Sequence, residues 1–277
     1  MNITVLCFSK DRPLQLQAYL ESLMHYSGIP QSCITVLYKE TAPILYDKLI
    51  ADFPGVVWWK ETDFRADLRK IVGGAREYIL LGCDDVVYLE EWQPEHCMDM
   101  FVAHPEVVAV GLRIGRNVMD VGKWDCRLLE QWGLLDTWQQ AWETGSSLYR
   151  KADVLNLLAV KPNQDFKIDY KPVTLQGDTI ATAALTPNFL EAMGHRNQSA
   201  WCADDRHHLA CYPYSRAVAF SVNLVQSEFV NQWDGSKRTR PEQLHQEYLA
   251  GRRLNWKRLY RWRMNQVHVG AKEFVVE

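Results

Sequence analysis

The segment Tyr78-Ile-Leu-Leu-Gly-Cys-Asp-Asp-Val-Val-Tyr-Leu89 places two adjacent carboxylates, Asp84 and Asp85, directly after a short apolar run. A run of this length that ends in a polar turn is typical of a buried strand. Neighbouring acids in such a position repel each other, so we expect something to neutralise them. A divalent cation that also binds phosphate oxygens would do so. The structural alternative is a helix cap or salt bridges with Arg65 or Arg69.

Short apolar runs alternate with helical patterns up to this segment. The predicted strands are Ile3–Phe8, Cys33–Tyr38, Val56–Trp59 and Tyr78–Leu81, and the predicted helices are Leu14–Gly28, Pro43–Phe53 and Phe64–Val72. This alternation with short connections predicts an α/β fold, a mixed and mainly parallel sheet flanked by helices. Ligands bind beyond the carboxyl ends of such strands. We therefore expect the polar loops Ser9–Arg12 and Cys83–Asp85 to converge.

The second half of the chain is less regular. Its predicted elements are strands at Pro105–Leu112 and Ala217–Val225, a strand or loop at Trp142–Tyr149, and a helix at Ala152–Val160. From Asn231 onward, basic residues are interleaved with aromatic ones. This pattern predicts a helical C-terminal appendage.

Composition excludes several classes of protein. The 277 residues carry a net charge of only -3, so we expect no nucleic-acid binding through bulk electrostatics. The seven cysteines show no Cys-x-x-Cys spacing, which favours a reducing compartment. No apolar run approaches the roughly 20 residues of a membrane span. We expect a cytoplasmic protein without a signal peptide. Glycine-rich dinucleotide and phosphate loops, as well as the serine-hydrolase elbow, are absent from the sequence.

Three segments carry a family resemblance: the loop Phe8-Ser-Lys-Asp-Arg-Pro13, the acid pair after residues 78–81, and Trp142-Glu-Thr-Gly-Ser-Ser-Leu-Tyr-Arg150. They resemble the GT-A glycosyltransferases, especially family 2 and the exostosin-like enzymes. The resemblance covers mainly residues 1–150. It implies a GT-A, Rossmann-like fold. It also implies metal-assisted transfer of a sugar from a nucleoside diphosphate sugar to a saccharide or lipid-linked saccharide acceptor, as in bacterial polysaccharide biosynthesis.

The resemblance assigns roles to particular residues. The family's Asp-x-Asp motif falls on Cys83-Asp84-Asp85, so its first acid is a cysteine in this chain. Asp85, with Asp84, would bind Mn²⁺ or Mg²⁺, and Asp84 would also contact the donor. The nucleobase and diphosphate would lie on the opening loop, and one further residue would reach the ribose or sugar. These donor-binding candidates are Ser9, Lys10, Asp11, Arg12 and Arg65.

Basic side chains at a strand end bind phosphate oxygens well, and arginine does so in bidentate fashion. The alternative for the opening loop is an exposed, solvated turn. For Arg65 the alternative is ion pairing on the surface of a helix.

An inverting transfer needs a carboxylate that takes the proton of the acceptor hydroxyl. Asp204 and Asp205, which precede a predicted helix, are the first candidates, and His207 or His208 could add a metal ligand. Glu143 and Asp178 are the next candidates. The alternative for the acid pair is a helix N-cap, which aspartate favours. A retaining enzyme would need no such base.

We divide the chain into a catalytic domain, 1–230, and a basic appendage, 231–277. Within the former, residues 1–112 would bind the nucleotide-sugar and residues 113–230 the acceptor. The appendage would either dock on anionic lipids at the inner face of the membrane or close over the donor phosphates. The alternative is a solvated helix packed on the domain by its Trp and Leu residues.

Two other functions remain open at this level. A nucleotidyltransferase acting on a sugar phosphate can share the layout and the metal carboxylates, but its first loop should be rich in glycine, whereas Ser9–Arg12 has none. A non-catalytic carbohydrate-binding relative is compatible with the cysteine at position 83.

Overall fold

The computed structural model of the chain describes the segments 1–115, 117–118, 126–129, 132–136, 142–159, 208–220, 239–263, 268–269 and 276–277, and the single positions 187, 190, 191, 194, 202 and 222. In this part of the chain, nine strands form one sheet and three form a smaller one. The predicted α/β class is confirmed.

The large sheet is mixed and mainly parallel. From one edge to the other its strands are β3 (Val57–Lys60), β2 (Ile34–Lys39), β1 (Ile3–Lys10), β4 (Tyr78–Cys83), β9 (Ser146–Arg150), β6 (Val107–Gly111), β10 (His208–Cys211), β8 (Trp132–Asp136) and β7 (Cys126–Leu129). Among these described strands, β9 and β8 run against the others. Strands β1, β2 and β4 are buried almost throughout, as parallel strands covered on both faces are.

The helices cover this sheet. They are α1 (Pro13–Ser27), α2 (Asp47–Asp52), α3 (Phe64–Gly74), α4 (Pro94–Ala103), α5 (Lys151–Ala159) and α6 (Pro241–Leu249), with short 3₁₀ helices at Gln31–Cys33 and Trp256–Leu259. Helix α1 begins with a proline in its first turn and ends at Gly28, whose φ of 68° suits glycine. The side chain of Asp63 caps α3 by accepting the N–H of Ala66 at 2.9 Å.

The chain leaves the large sheet directly after Asp85. Residues Val86–Tyr88 form β5, which pairs antiparallel with β11 (Ala217–Phe220), and β11 pairs in parallel with β12 (His268–Val269). The turn that carries the two acids therefore joins the two sheets.

The predicted helix Pro43–Phe53 is wrong in its first half, because α2 begins only at Asp47. Residues 41–44 instead close a turn, in which Ile44 N–H donates to Thr41 O at 3.0 Å. The predicted opening strand is too short. Ser9 and Lys10 still pair with Tyr38 and Lys39 and extend β1.

The helix predicted after Asp205 is also corrected. His208–Cys211 is the strand β10, because these residues pair with β6 on one side and β8 on the other. Tertiary pairing decides the conformation of this short segment against its local pattern. Strand β5 and helix α4 were not predicted.

The C-terminal segment is packed on the main body through its aromatic residues. The buried ring of Trp256 lies 5.2 Å from His25 and 5.6 Å from Tyr26, centroid to centroid, and its Nε1–H donates to Glu21 at 2.9 Å. Besides α6, the segment contributes β12, so it is only partly helical. None of the helices in the described segments is both long and apolar enough to cross a membrane.

Candidate donor site at the ends of β1 and β4

The two polar loops converge as predicted. Strands β1 and β4 are neighbours with Phe8 opposite Cys83, and the N–H of Asp84 donates to Phe8 O at 3.0 Å. Parallel strands end at the same edge of a sheet, so this pairing places Ser9–Arg12 beside Asp84 and Asp85. The acids and the basic loop form one cluster.

Asp84 is a buried carboxylate held by three donors. Its Oδ2 accepts the Ser9 hydroxyl at 2.8 Å and the Lys10 backbone N–H at 3.1 Å, while Oδ1 accepts Arg12 Nη1 at 3.0 Å. Burial raises the pKa of Asp84 to about 6; Arg12 opposes this rise and the charge of Asp85 adds to it. Both oxygens of Asp84 are thus already used within the protein.

Arg12 neutralises the acid pair in part. The same Nη1 lies 3.3 Å from Asp85 Oδ2, and the guanidinium is largely buried. The solvated-loop alternative is therefore wrong for Arg12. The salt-bridge alternative named the wrong arginines, because Arg65 and Arg69 on α3 donate to Leu158 O at 3.5 and 2.7 Å. This contact directs Arg65 toward α5, and its donor role stays a prediction.

Asp85 is the more accessible acid. Its side chain is 23% exposed, against 4% for Asp84. Arg12 contacts Oδ2, and Oδ1 accepts no hydrogen bond from the described residues. Asp85 thus offers an oxygen to a cation, as a hard divalent ion requires. Within the described segments, no group of three His, Cys, Asp or Glu side chains could hold a metal by itself.

The remaining loop residues shape the site. Asp11 has a positive φ of 54° and its Oδ1 accepts the Thr41 N–H at 2.6 Å, which fastens the first loop to the second. Lys10 contributes its backbone N–H to Asp84. Cys83, at the position of the family's missing acid, points to Thr144, with its sulfur 3.5 Å from the carbonyl oxygen.

Glu143 lies in a second charged group, next to β9. Its Oε1 accepts Arg113 Nε at 2.7 Å and its Oε2 accepts the Ser147 hydroxyl at 3.1 Å. A Cβ atom at Gly145 would lie 2.9 Å from Glu143 Oε1 and 3.0 Å from Arg113 Cζ, so the glycine makes room for this pair. Glu143 is therefore buried and held on both oxygens, which leaves it less free to accept a proton.

Glu191 is a site residue that sequence reasoning missed. Its carboxyl group is surrounded by protein, although part of the residue reaches the surface. Burial raises its pKa to about 7; Arg113 and the N–H of Thr144 oppose this rise, and Glu143 and Asp85 add to it. The sequence around it, Phe189-Leu-Glu191, offers only an acid inside an apolar stretch as a signal.

The two groups form a single charge cluster, because Asp85 acts electrostatically on both Arg113 and Glu191. Among these six described side chains, with every group ionised, Arg12 and Arg113 contribute +2 and the four acids Asp84, Asp85, Glu143 and Glu191 contribute -4, which leaves -2. An excess of negative charge at a buried sheet edge favours binding of a cation or uptake of protons.

The other base candidates, Asp204, Asp205 and Asp178, lie outside the described residues. Of the two possible extra metal ligands, His207 also lies outside them, and His208 opens β10. Their assignments stay predictions.

Comparison with known proteins gives a partial relative. No family model matches the chain. Over 131 residues, it is 28% identical to the bifunctional glycosyltransferase pgtA of Dictyostelium discoideum, a match that covers 42% of this chain and 17% of the relative. The chain therefore spans less than a fifth of that relative's length.

Two solved structures show a distant likeness. S. aureus TarS 1–349 in complex with UDP is matched with a TM-score of 0.41 and 10% identity, over 76% of this chain and 60% of TarS. The mannosyltransferase PcManGT from Pyrobaculum calidifontis, in complex with GDP-Man and Mn²⁺, is matched with a TM-score of 0.36 and 12% identity, over 58% of this chain and 47% of that one. At these scores the likeness says nothing about the reaction.

Proposed function

We propose that this chain is a glycosyltransferase that moves a sugar from a nucleoside diphosphate sugar to a saccharide or lipid-linked saccharide acceptor. The observation that carries the proposal is the cluster at the ends of β1 and β4, where Arg12 bridges Asp84 and Asp85 and the Glu143–Arg113–Glu191 group lies alongside. The partial likeness to a glycosyltransferase supports the same class.

A divalent ion fits this cluster at Asp85. The accessible oxygen of Asp85 and the net negative charge suit Mn²⁺ or Mg²⁺, which take one or two protein carboxylates and fill the other positions with phosphate and water. When bound, the ion would stabilise the negative charge of the diphosphate leaving group. Asp84 holds Arg12 and the first loop in place and acts on the ion at most indirectly.

Among the described residues, Glu191 is the best candidate for the general base. A group with a pKa near the working pH can take up a proton while still being largely ionised, and Glu191 has a pKa of about 7. Arg113 lies close enough to stabilise the ionised form. Asp204, Asp205 and Glu143 remain the other candidates, and a retaining mechanism would use none of them.

Ion pairing within the protein explains the basic appendage better than docking on lipid does. In its described part, Arg252, Arg258 and Arg263 pair with Glu247, Glu277 and Glu90, at 2.7, 3.4 and 2.7 Å. Paired guanidinium groups attract anionic headgroups less than free ones. These ion pairs therefore favour a structural role of the three arginines over contact with a membrane surface.

The test of the proposal is the variant Asp85→Ala. Release of nucleoside diphosphate would be measured with a panel of nucleotide-sugars, Mn²⁺ and an oligosaccharide acceptor. We expect turnover to fall by about 100-fold or more, the scale seen when a group that stabilises transition-state charge is removed. The control is Asp99→Ala on the exposed face of α4, which should keep full activity.

Full activity of a folded Asp85→Ala protein would contradict the metal role. Pyrophosphate formation from a nucleoside triphosphate and a sugar phosphate, without sugar transfer, would contradict the reaction class and favour a nucleotidyltransferase.

A further inference from the structure

The buried hydroxyl of Tyr46 contacts the loop Ser9–Arg12 at the candidate donor site, but it is not exposed to the site itself. It is 2.7 Å from Ser9 Oγ and 3.0 Å from the backbone nitrogen of Arg12, and the residue has no exposed surface. Tyr46 comes from the segment just before α2, so it reaches the first loop from a different part of the chain. One hydroxyl therefore connects two segments at the site.

The hydrogen bonds around Tyr46 run in one direction. A backbone N–H can only donate, so the Tyr46 oxygen accepts from Arg12 and its own proton is left for Ser9. Ser9 in turn donates to Oδ2 of Asp84, an oxygen that also accepts the backbone N–H of Lys10 and therefore acts as an acceptor. The hydrogen bonds therefore run from the Arg12 N–H to the Tyr46 oxygen, from the Tyr46 O–H to Ser9, and from the Ser9 O–H to the Asp84 carboxylate. Each of the two hydroxyls donates to one partner.

This chain of bonds closes on itself through Arg12. The backbone of Arg12 begins the chain, and its guanidinium ends at the same carboxylate, 3.0 Å from Asp84 Oδ1. Tyr46 is itself fixed, since its N–H donates to Glu40 at 3.2 Å and its ring lies 4.9 Å from that of Tyr38, centroid to centroid. The direction of the Arg12 side chain thus depends on a residue that no ligand can touch.

We propose that Tyr46 is a positioning residue for the nucleoside diphosphate part of the donor. Tyr46 fixes the backbone conformation of Ser9–Arg12 before the ligand binds. This backbone in turn fixes the positions of the Arg12 guanidinium and of the two carboxylates that it contacts. The inference rests on the proposed function, because it assumes that the donor binds beside Arg12 and Asp85. Pre-organisation of this kind lowers the cost of ordering the site on binding.

The experiment is Tyr46→Phe, which removes one oxygen and keeps the buried ring. Binding of UDP and GDP with Mn²⁺ would be measured by calorimetry, and the KM values for donor and acceptor by steady-state kinetics. We expect the nucleotide Kd and the donor KM to rise about tenfold, the scale of one or two lost hydrogen bonds, and the acceptor KM to stay unchanged. Ser9→Ala breaks the next bond of the chain and should shift the same two constants in the same direction.

The matched control is Tyr38→Phe. Tyr38 packs against Tyr46 with the two rings tilted, yet its hydroxyl makes no hydrogen bond with the described residues, so its removal should leave both KM values unchanged. A folded Tyr46→Phe protein with the nucleotide Kd of the original protein would overturn the inference alone, as would an equal rise in donor and acceptor KM. An unmutated protein that binds neither UDP, GDP nor any other nucleoside diphosphate would overturn the proposed function together with the inference.

Discussion

Glu191 shows how one buried acid can couple activity to stability. Its surroundings disfavour the charged form, so the folded protein binds this proton more tightly than the unfolded chain does. The reference pKa of the side chain is 4.5 and the folded pKa is about 7. Between these two values the folded state holds more protons, and a rise in pH over that range therefore lowers the free energy of unfolding.

We predict opposite effects of Glu191→Gln on turnover and on stability. Turnover of the unmutated protein should fall as the pH drops through about 7, because a base must be ionised, and the variant should lose about 100-fold or more in turnover at pH 8. The variant should melt at a higher temperature than the unmutated protein at pH 8, and this difference should shrink toward pH 5.

Rate against pH and thermal melting at both pH values would check this prediction. Glu95→Gln on the exposed face of α4 is the control and should change neither quantity. A Glu191→Gln protein with normal turnover would remove Glu191 from the list of bases. Equal melting temperatures at pH 8 would contradict the account of its burial.

Among the elements, the short 3₁₀ helix Trp256–Leu259 fastens the C-terminal segment to α1. Trp256 fills the space between His25 and Tyr26 and also donates to the carboxylate of Glu21. Apolar burial and a charge-assisted hydrogen bond thus act on one side chain. Both contributions are lost if this element detaches.

We predict that Trp256→Ala lowers the free energy of unfolding by about 4 kcal/mol, the usual scale for deleting a buried large aromatic side chain. Trp256→Phe keeps most of the ring and loses the Nε1–H donor, so a smaller loss of about 2 kcal/mol is expected. Urea unfolding would measure both values. A loss below about 0.5 kcal/mol for the alanine variant, as at a surface position, would show that the segment is not anchored there.

The sequence predicts elements best where contacts are local. The strands and helices of the first 85 residues alternate with short connections, and this rhythm alone places Ser9–Arg12 beside Asp84 and Asp85. Apolar runs and polar strand ends carry that information directly. The class of fold and half of the candidate site could therefore be predicted.

The other half of the site depends on contacts between distant segments. Glu191 comes under the electrostatic influence of Arg113 and Glu143 only after folding, and no spacing in the sequence indicates this arrangement. The role of Tyr46 depends on the path of a loop that was predicted to be helical. The sequence predicts a helix at β10 because an acid pair followed by polar residues is typical of the start of a helix. Pairing with β6 and β8, which are distant in the sequence, makes the segment a strand instead.

At the scale of the whole molecule, nucleotide binding at the described charge cluster should increase the stability of the folded protein. A ligand that binds only the folded state raises the free energy of unfolding by mass action, about 2.7 kcal/mol at 100 times its Kd. We predict that UDP or GDP raises the melting temperature and that Mn²⁺ increases the effect. In Asp85→Ala the increase due to Mn²⁺ should disappear.

A thermal-shift panel of nucleosides and nucleoside diphosphates, with and without Mn²⁺, would measure this effect. The free nucleosides are the control, since they lack the phosphates that Arg12 and the ion would bind. The absence of any shift with every nucleoside diphosphate would contradict the donor site.

The small sheet has a consequence for biosynthesis. The turn with Asp84 and Asp85 continues into β5, whose neighbour β11 and outer strand β12 are made far later in the chain. On the ribosome, the β1–β4 half can pair early, while β5 must wait unpaired for partners that have not yet been translated. The nascent protein would therefore complete the small sheet among its last steps, and until then β5 would be exposed to chaperones.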